Sequence, residues 1–523
     1  MIRILPGPGG RRAGEGGSGA AAASAILPGI RPASGASAAR PMKLPSAPRI
    51  DLLEPAVMLA TVLQWLILAS LTGLVVGAGT SLFLHALFFA TGRTQSMPLW
   101  AYWILLPLAG LANGLLMGYA RRRLEASGLK DSIFAAVHEQ GGRMPWRTLW
   151  IKPVAAVITL ASGGSAGKEG PCSHLGASLG AVIGQLFRLN ADLRQRIVAC
   201  GVSAGFASVF GTPIAGALYG VEMLIIGRIR HDFLFPALIA GVTSYQVSKA
   251  LGIPYEHYAV DVLPVFSESL FLRTILVGML CGLVARVFVD LIYAVRNACQ
   301  RLQARWAVWP PLMPLAGGLV LALLVSVAIP TDYLGLSLPL MDRALMGEAM
   351  PYAGFLWKTI LVAVTLGSGF YGGIVTPQFV IGAVAGNAFA HLFGISPALG
   401  AAVGLVSVVA AASNTPLAAI LMGVELFGGA VGTLYAAGSA IAAYLIIGHR
   451  SVYPDQRLGH AKSSWMRVRP DIPVGQEKTH LSYGLLKSWR QMRKRGWRIW
   501  PGAGRRADAG RSVEDGGRDD GQP

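Results

Sequence analysis

Gly167-Lys168-Glu169-Gly170-Pro171 closes a glycine-rich stretch, Ser162-Gly-Gly-Ser-Ala-Gly-Lys-Glu-Gly-Pro171, and opens an apolar, glycine-spaced segment. A second stretch, Gly367-Ser-Gly-Phe-Tyr-Gly-Gly-Ile-Val-Thr-Pro377, does the same 206 residues later. Pro171 matches Pro377, Gly176 matches Gly382, and Gly180 matches Gly386. A further match follows at an offset of 203. Thr212-Pro-Ile-Ala-Gly-Ala-Leu-Tyr-Gly-Val-Glu222 pairs with Thr415-Pro-Leu-Ala-Ala-Ile-Leu-Met-Gly-Val-Glu425. Ordered Pro and Glu matches at nearly constant offset imply two related halves, about 52–253 and 268–453. Matched glycine-rich breaks in two hydrophobic halves point to a binding site near the bilayer midplane.

Composition fixes the setting. Of 523 residues, 53% are hydrophobic and 14% charged, against about 25% charged in soluble domains. Mean hydropathy is +0.52. Too little polar surface remains for a soluble enzyme, and too much apolar surface for a disordered chain. The expected fold is an all-α polytopic membrane protein of broken, tilted helices. The run 56–90 is long enough to cross with a strong tilt; several others are too short to span alone. Irregular backbone at membrane depth is tolerated only where protein covers it or it lines a water-filled site.

The net charge of +19 gathers in the tails. Residues 1–50 carry +6 and residues 454–523 carry +7. Basic flanks of an apolar body put both termini in the cytoplasm and argue against nucleic acid as the partner of the tail around Lys487–Arg498. Residues 1–50, rich in Gly, Ala and Pro, read as disordered. Cysteines 172, 200, 281 and 299 form no metal-ligand spacing, so neither metal nor cofactor is expected.

A glycine-rich turn feeding a helix exposes unpaired N–H groups at the positive end of the helix dipole, which attracts anions. Two such ends from two halves point to an anion path, with a cation or neutral-solute carrier as the open alternative. Glu169 lies inside one of them. An intramembrane carboxylate is costly and usually functional. Here it would compete with a substrate anion for the same N–H groups until protonated. Its bland alternative is a carboxylate that only stabilises a helix start.

These residues carry a family resemblance. Gly167–Pro171 with Leu175-Gly176-Ala177 resembles the GREGP…LGA motif of the CLC family of chloride channels and proton–chloride antiporters. Gly373-Ile374-Val375-Thr376-Pro377 resembles its GxFxP motif, Ser127-Gly128-Leu129 the core of its GSGxP motif, and Tyr453 its pore tyrosine. The resemblance covers about residues 52–456. It implies a homodimer in the bilayer, with one pore per subunit and two inverted-topology halves. It implies chloride or a similar small anion held by the N–H groups of Ile374 and Val375 and by the hydroxyls of Ser127 and Tyr453. Glu169 then matches the external gate. Ser127 as a mere helix cap and Tyr453 as an interfacial anchor are the bland alternatives.

Three departures matter. Lys130 replaces the GSGxP proline, either snorkelling to water or luring anions to the pore entrance. Val375 replaces the GxFxP phenylalanine. Met223 stands where the antiporters carry an internal proton glutamate, while the neighbouring Glu222, mirrored by Glu425, is expected to tie down backbone groups. The lost glutamate favours a glutamate-gated channel over the alternative, a proton-coupled chloride or fluoride antiporter. A serine at 127 argues against the fluoride-selective branch. Residues 51–456 are expected to form the transport domain. Residues 457–523 are expected to form a basic cytoplasmic tail without CBS modules, its 478–500 segment lying on the membrane face or disordered. A bacterial inner membrane is the expected location. The rivals are a polytopic membrane enzyme, for which His85, His174 and His391 show no ligand spacing, and a scaffold acting through the basic tail.

Overall fold

In a computed structural model, the described residues run from 53 to 481, apart from 93, 95–96, 256–257, 259–265, 429 and 478–479. The N-terminal tail and the 478–500 segment, with Lys487–Arg498, fall outside them, save for the strand residues 480–481. Residues 58–523 form one unit; of the other, residues 1–57, only the first turn of the first helix is described.

Among the described residues, sixteen α-helices follow one another in two series of eight. The first holds α1 (Leu53–Thr91), α2 (Leu99–Glu125), α3 (Ile133–His138), α4 (Ile151–Ala161), α5 (Glu169–Leu186), α6 (Ala191–Phe210), α7 (Pro213–Glu222) and α8 (His231–Ala250). The second holds α9 (Glu268–Trp306), α10 (Leu312–Val327), α11 (Leu338–Leu345), α12 (Gly354–Ser368), α13 (Val375–Phe393), α14 (Pro397–Ala412), α15 (Pro416–Phe427) and α16 (Ala430–Ile446). Helix lengths repeat in order: both series open on 39 residues and both include short helices that cannot span a bilayer alone. The long α1, α2 and α9 are long and apolar enough to cross one.

Local chemistry sets the breaks. Helices α7 and α15 begin Thr-Pro, with proline in the first turn, where its missing N–H costs nothing. Asn190 caps α6 by accepting the Leu193 N–H at 2.9 Å. Helix α12 stops at Gly369, whose φ of 116° suits only glycine.

Small residues bring helix pairs into backbone contact. A Cβ at Gly176 on α5 would strike the Gly201 carbonyl on α6. In the second series a Cβ at Gly382 on α13 would meet the Gly404 carbonyl on α14 at 2.5 Å. In lipid, where tails are as apolar as leucine, such packing replaces the hydrophobic drive between helices.

Helices α7 and α15 cross-cap each other. Glu222 accepts the N–H groups of Leu417 and Ala418 at 3.1 and 2.8 Å. Glu425 accepts those of Ile214 and Ala215 at 2.9 and 2.8 Å. Both carboxylates thus tie down backbone donors, as their repeat positions suggest.

The segment after Tyr453 does not leave the body as a tail at residue 457. Strand β1 (Ile225–Ile226) pairs in parallel with β2 (Arg457–Leu458), and β3 (Met466–Arg467) pairs with β4 (His480–Leu481). Lys462 is drawn inward by the Tyr444 carbonyl at 2.7 Å and the Asn414 side chain. Residues just past 456 thus pack on the helical body, through the β1–β2 pairing and the Lys462 bond to the Tyr444 carbonyl on α16.

A valine at Gly201 overpacks the α5–α6 contact and is expected to cost about 1–3 kcal/mol. Thermal unfolding in detergent, followed by loss of the monodisperse peak, should show Gly201→Val melting several degrees lower. Gly118→Ala, which meets no atom within 4 Å, should melt as the unaltered protein does.

Candidate functional site

The two glycine-rich stretches meet as an antiparallel bridge. Gly167 N–H donates to the Gly373 carbonyl at 2.8 Å, and Gly373 N–H returns to the Gly167 carbonyl at 2.7 Å. The bridge brings the start of α5 to the start of α13. Glu169, 2% exposed, reaches across it. Its carboxylate accepts the Val375 N–H and the Thr376 hydroxyl, each at 2.5 Å. It therefore sits on the N-terminus of α13, not only on its own helix. A Cβ at Gly167 or at Gly373 would collide with this carboxylate, so both glycines are needed for the arrangement.

Beside Glu169 lies a cavity of about 270 Å³. Ile374, Val375, Tyr453 and Met223 line it with Glu169, so the structure brings together five of the seven residues singled out from sequence. The Tyr453 hydroxyl is 2.7 Å from that of Tyr219, whose ring stacks on Phe206 at 4.0 Å. Tyr219 was not singled out. Its signal lay in the repeat, where the second half has the apolar Met422 at the matched place.

Ser127 lies elsewhere. It is exposed, its hydroxyl donates to the Leu124 carbonyl at 2.8 Å, and it borders a separate groove with Arg123, Trp146 and Arg188. The chain turns at Gly128, with φ 67°, and from this segment Ser132, just before α3, lines the Glu169 cavity, as does Ser173 on α5. The Ser132 hydroxyl is held by Asp455 at 3.0 Å. The argument against fluoride from a serine at 127 loses its footing with this displacement.

Lys130 is not an unpaired lure. Its side chain is 71% exposed and pairs with Glu139 at 2.8 Å. That hydrogen bond to Glu139 raises its pKa and holds it charged, and Glu139 is shared with Arg457 at 3.0 Å.

Three further groups lie together on the cavity wall, a cluster that sequence reasoning missed although it named His174. Asp131 holds His174 Nε2 at 2.7 Å with one carboxylate oxygen and Lys152 Nζ at 2.9 Å with the other. All three side chains are at most 10% exposed. Lys152 alone could have been found, as a cation within the apolar run 149–162. Asp131 and His174 are 43 residues apart in sequence, and no spacing joins them.

Comparison with known proteins agrees with this geometry. A family profile described as voltage gated chloride channel matches residues 109–448. A chloride/fluoride channel protein of Pseudomonas syringae pv. tomato is 38% identical over 414 residues, covering 77% of this chain and 89% of that protein. An H(+)/Cl(-) exchange transporter of Yersinia pestis is 28% identical over 342 residues, covering 61% and 70%. Among solved structures, a CLC-type fluoride/proton antiporter superposes with a TM-score of 0.69 at 30% identity, covering 76% of this chain and 98% of the other. A slow cyanobacterial Cl-/H+ antiporter, at 22% identity and a TM-score of 0.59, shares the fold.

With Glu139 as its partner, Lys130→Met should change anion flux less than twofold at low ionic strength. Flux assays in liposomes at 10 and 300 mM salt check this; a deficit confined to low salt would restore the lure.

Proposed function

The chain belongs to the CLC family of voltage gated chloride channels, and on that footing we propose that it moves small monovalent anions, chloride or fluoride, across the membrane past Glu169. The observation that carries this reading is the Glu169 carboxylate on the N-terminus of α13. An ionised carboxylate takes charge-assisted hydrogen bonds from an N–H and a hydroxyl, and a halide can use the same donors. Protonation weakens those bonds and adds a proton that has no acceptor there. The side chain then leaves, and the anion takes the vacated place. Ile374, Val375 and Tyr453 are the residues proposed to hold the anion within the cavity, with Tyr219 fixing the direction of the Tyr453 hydroxyl.

Because one group both binds the proton and blocks the anion, we favour coupled proton–anion exchange. The likeness to a fluoride/proton antiporter at 30% identity supports this choice. Met223, an apolar residue on the cavity wall, favours the second reading, a channel. The protein is integral to the membrane. We further propose a homodimer with one path per subunit, set in a bacterial plasma membrane with both termini cytoplasmic.

The test is simultaneous recording of anion efflux and external pH from liposomes holding the purified full-length protein. Wild-type flux should rise as the pH falls, because the neutral form of Glu169 releases the site. Glu169→Gln cannot carry the competing charge and should give flux that varies little with pH; an undiminished pH dependence would sink the gate. Tyr453→Phe removes one hydrogen bond, about 0.5–1.5 kcal/mol, and should weaken halide binding roughly 2- to 10-fold in calorimetry. Uphill proton movement driven by the anion gradient distinguishes exchanger from channel.

A further inference from the structure

The cavity beside Glu169 contains a second titratable assembly, and Met223 lines the same cavity. Asp131 precedes α3, Lys152 lies on α4, and His174 lies on α5, five residues beyond Glu169. All of them, with Met223 and Glu169, line the same cavity. His174 is 3% exposed, and its Nδ1 has no hydrogen-bond partner among the described residues. With Nε2–H donating to the Asp131 carboxylate, Nδ1 carries the free lone pair of the neutral ring. A buried imidazole nitrogen left unpaired is costly for a group that serves packing alone.

We propose that His174, oriented by Asp131, is the proton relay that loads Glu169 from the cavity, in the role Met223 cannot fill. The proposal rests on the exchange reading above. The step conserves charge and atoms. Nδ1 takes a proton from hydronium in the cavity, giving imidazolium and water. Nε2–H stays on Asp131, whose carboxylate stabilises the cation. Nδ1–H then passes the proton through water to a Glu169 carboxylate oxygen, and the ring returns to neutral. Five residues of helix separate the two groups by about 7.5 Å along the axis, so water rather than direct contact carries the transfer.

The charges around the ring suit a carrier better than a store. Asp131 favours the imidazolium. Lys152, bound to the other Asp131 oxygen and 5.5 Å from the Tyr371 ring centre, opposes it. Asp455 lies on the cavity wall, held by Ser132, and offers a polar entry. Tyr219 and Tyr453 hydrogen-bond each other. Glu169 is the cavity carboxylate held on a helix start, and so the natural proton acceptor.

The experiment uses the full-length protein in liposomes under opposed chloride or fluoride gradients, with halide and pH electrodes read together. His174→Gln keeps a donor for Asp131 but cannot shuttle a proton. With Glu169 still open to protons from the side away from His174, the expected result is anion flux that persists while protons moved per anion fall at least tenfold. Asp131→Asn still accepts from Nε2–H but no longer stabilises the imidazolium, and should shift the pH profile of proton transport to lower pH by half a unit or more. If wild type drives protons and His174→Gln drives as many per anion, the relay is overturned while exchange stands. If wild type drives none, exchange and relay both fail. If monodisperse His174→Gln loses both fluxes and Asp131→Asn leaves the pH profile unmoved, the cluster is structural and the relay is overturned.

Discussion

A helix that starts inside an apolar slab leaves backbone N–H groups with no water to accept them. The interior of this protein is organised around that constraint. Three helix starts are met by carboxylates from the other half: Glu169 reaches the buried start of α13, Glu222 reaches α15, and Glu425 reaches α7. Each exchange satisfies donors that would otherwise cost several kcal/mol in a hydrocarbon setting. Two of the three are reciprocal and hold the halves together. The third has no reciprocal carboxylate, because the residue matched to Glu169 in the second half is Val375. In the proposed mechanism this asymmetry frees Glu169 to move while Glu222 and Glu425 stay.

Close backbone approach makes this possible. Carboxylates reach helix starts across the halves only if the helices that bear them nearly touch. Gly176 against Gly201 and Gly382 against Gly404 bring the pairs together. Gly167 and Gly373 then form a two-bond bridge with room for a carboxylate beside it. The glycine content that looks wasteful for a helical protein serves contact rather than flexibility. Any side chain at these positions would push the helix starts apart and leave the donors unmet.

The chemistry of the cavity is divided between the groups proposed to hold an anion and those proposed to carry protons. N–H and hydroxyl donors gather at the α13 start and at the Tyr219–Tyr453 pair. Asp131, Lys152 and His174 gather on the α4–α5 side. Glu169 belongs to both groups.

Much of the fold was legible from residue order. The matched Gly-rich breaks, the Thr-Pro helix starts and the Glu222/Glu425 pair are local signals, because a turn, a proline or a repeat leaves its mark within ten residues. Five of the seven singled-out residues, Glu169, Met223, Ile374, Val375 and Tyr453, do share one cavity. Ser127 and Lys130 do not, because the chain between α2 and α3 turns at Gly128 and brings Ser132 inward instead. Lys130 met a carboxylate nine residues on that no motif announces. The union of Asp131, Lys152 and His174 also had no sequence signature, since a hydrogen-bonded cluster is made by helices crossing in space, not by spacing along the chain. Sequence alone determined that the chain lives in a membrane, folds as two related halves and places a carboxylate where an anion would bind. Only the tertiary structure decided which side chains share the cavity with it, because packing sets the facing of each helix.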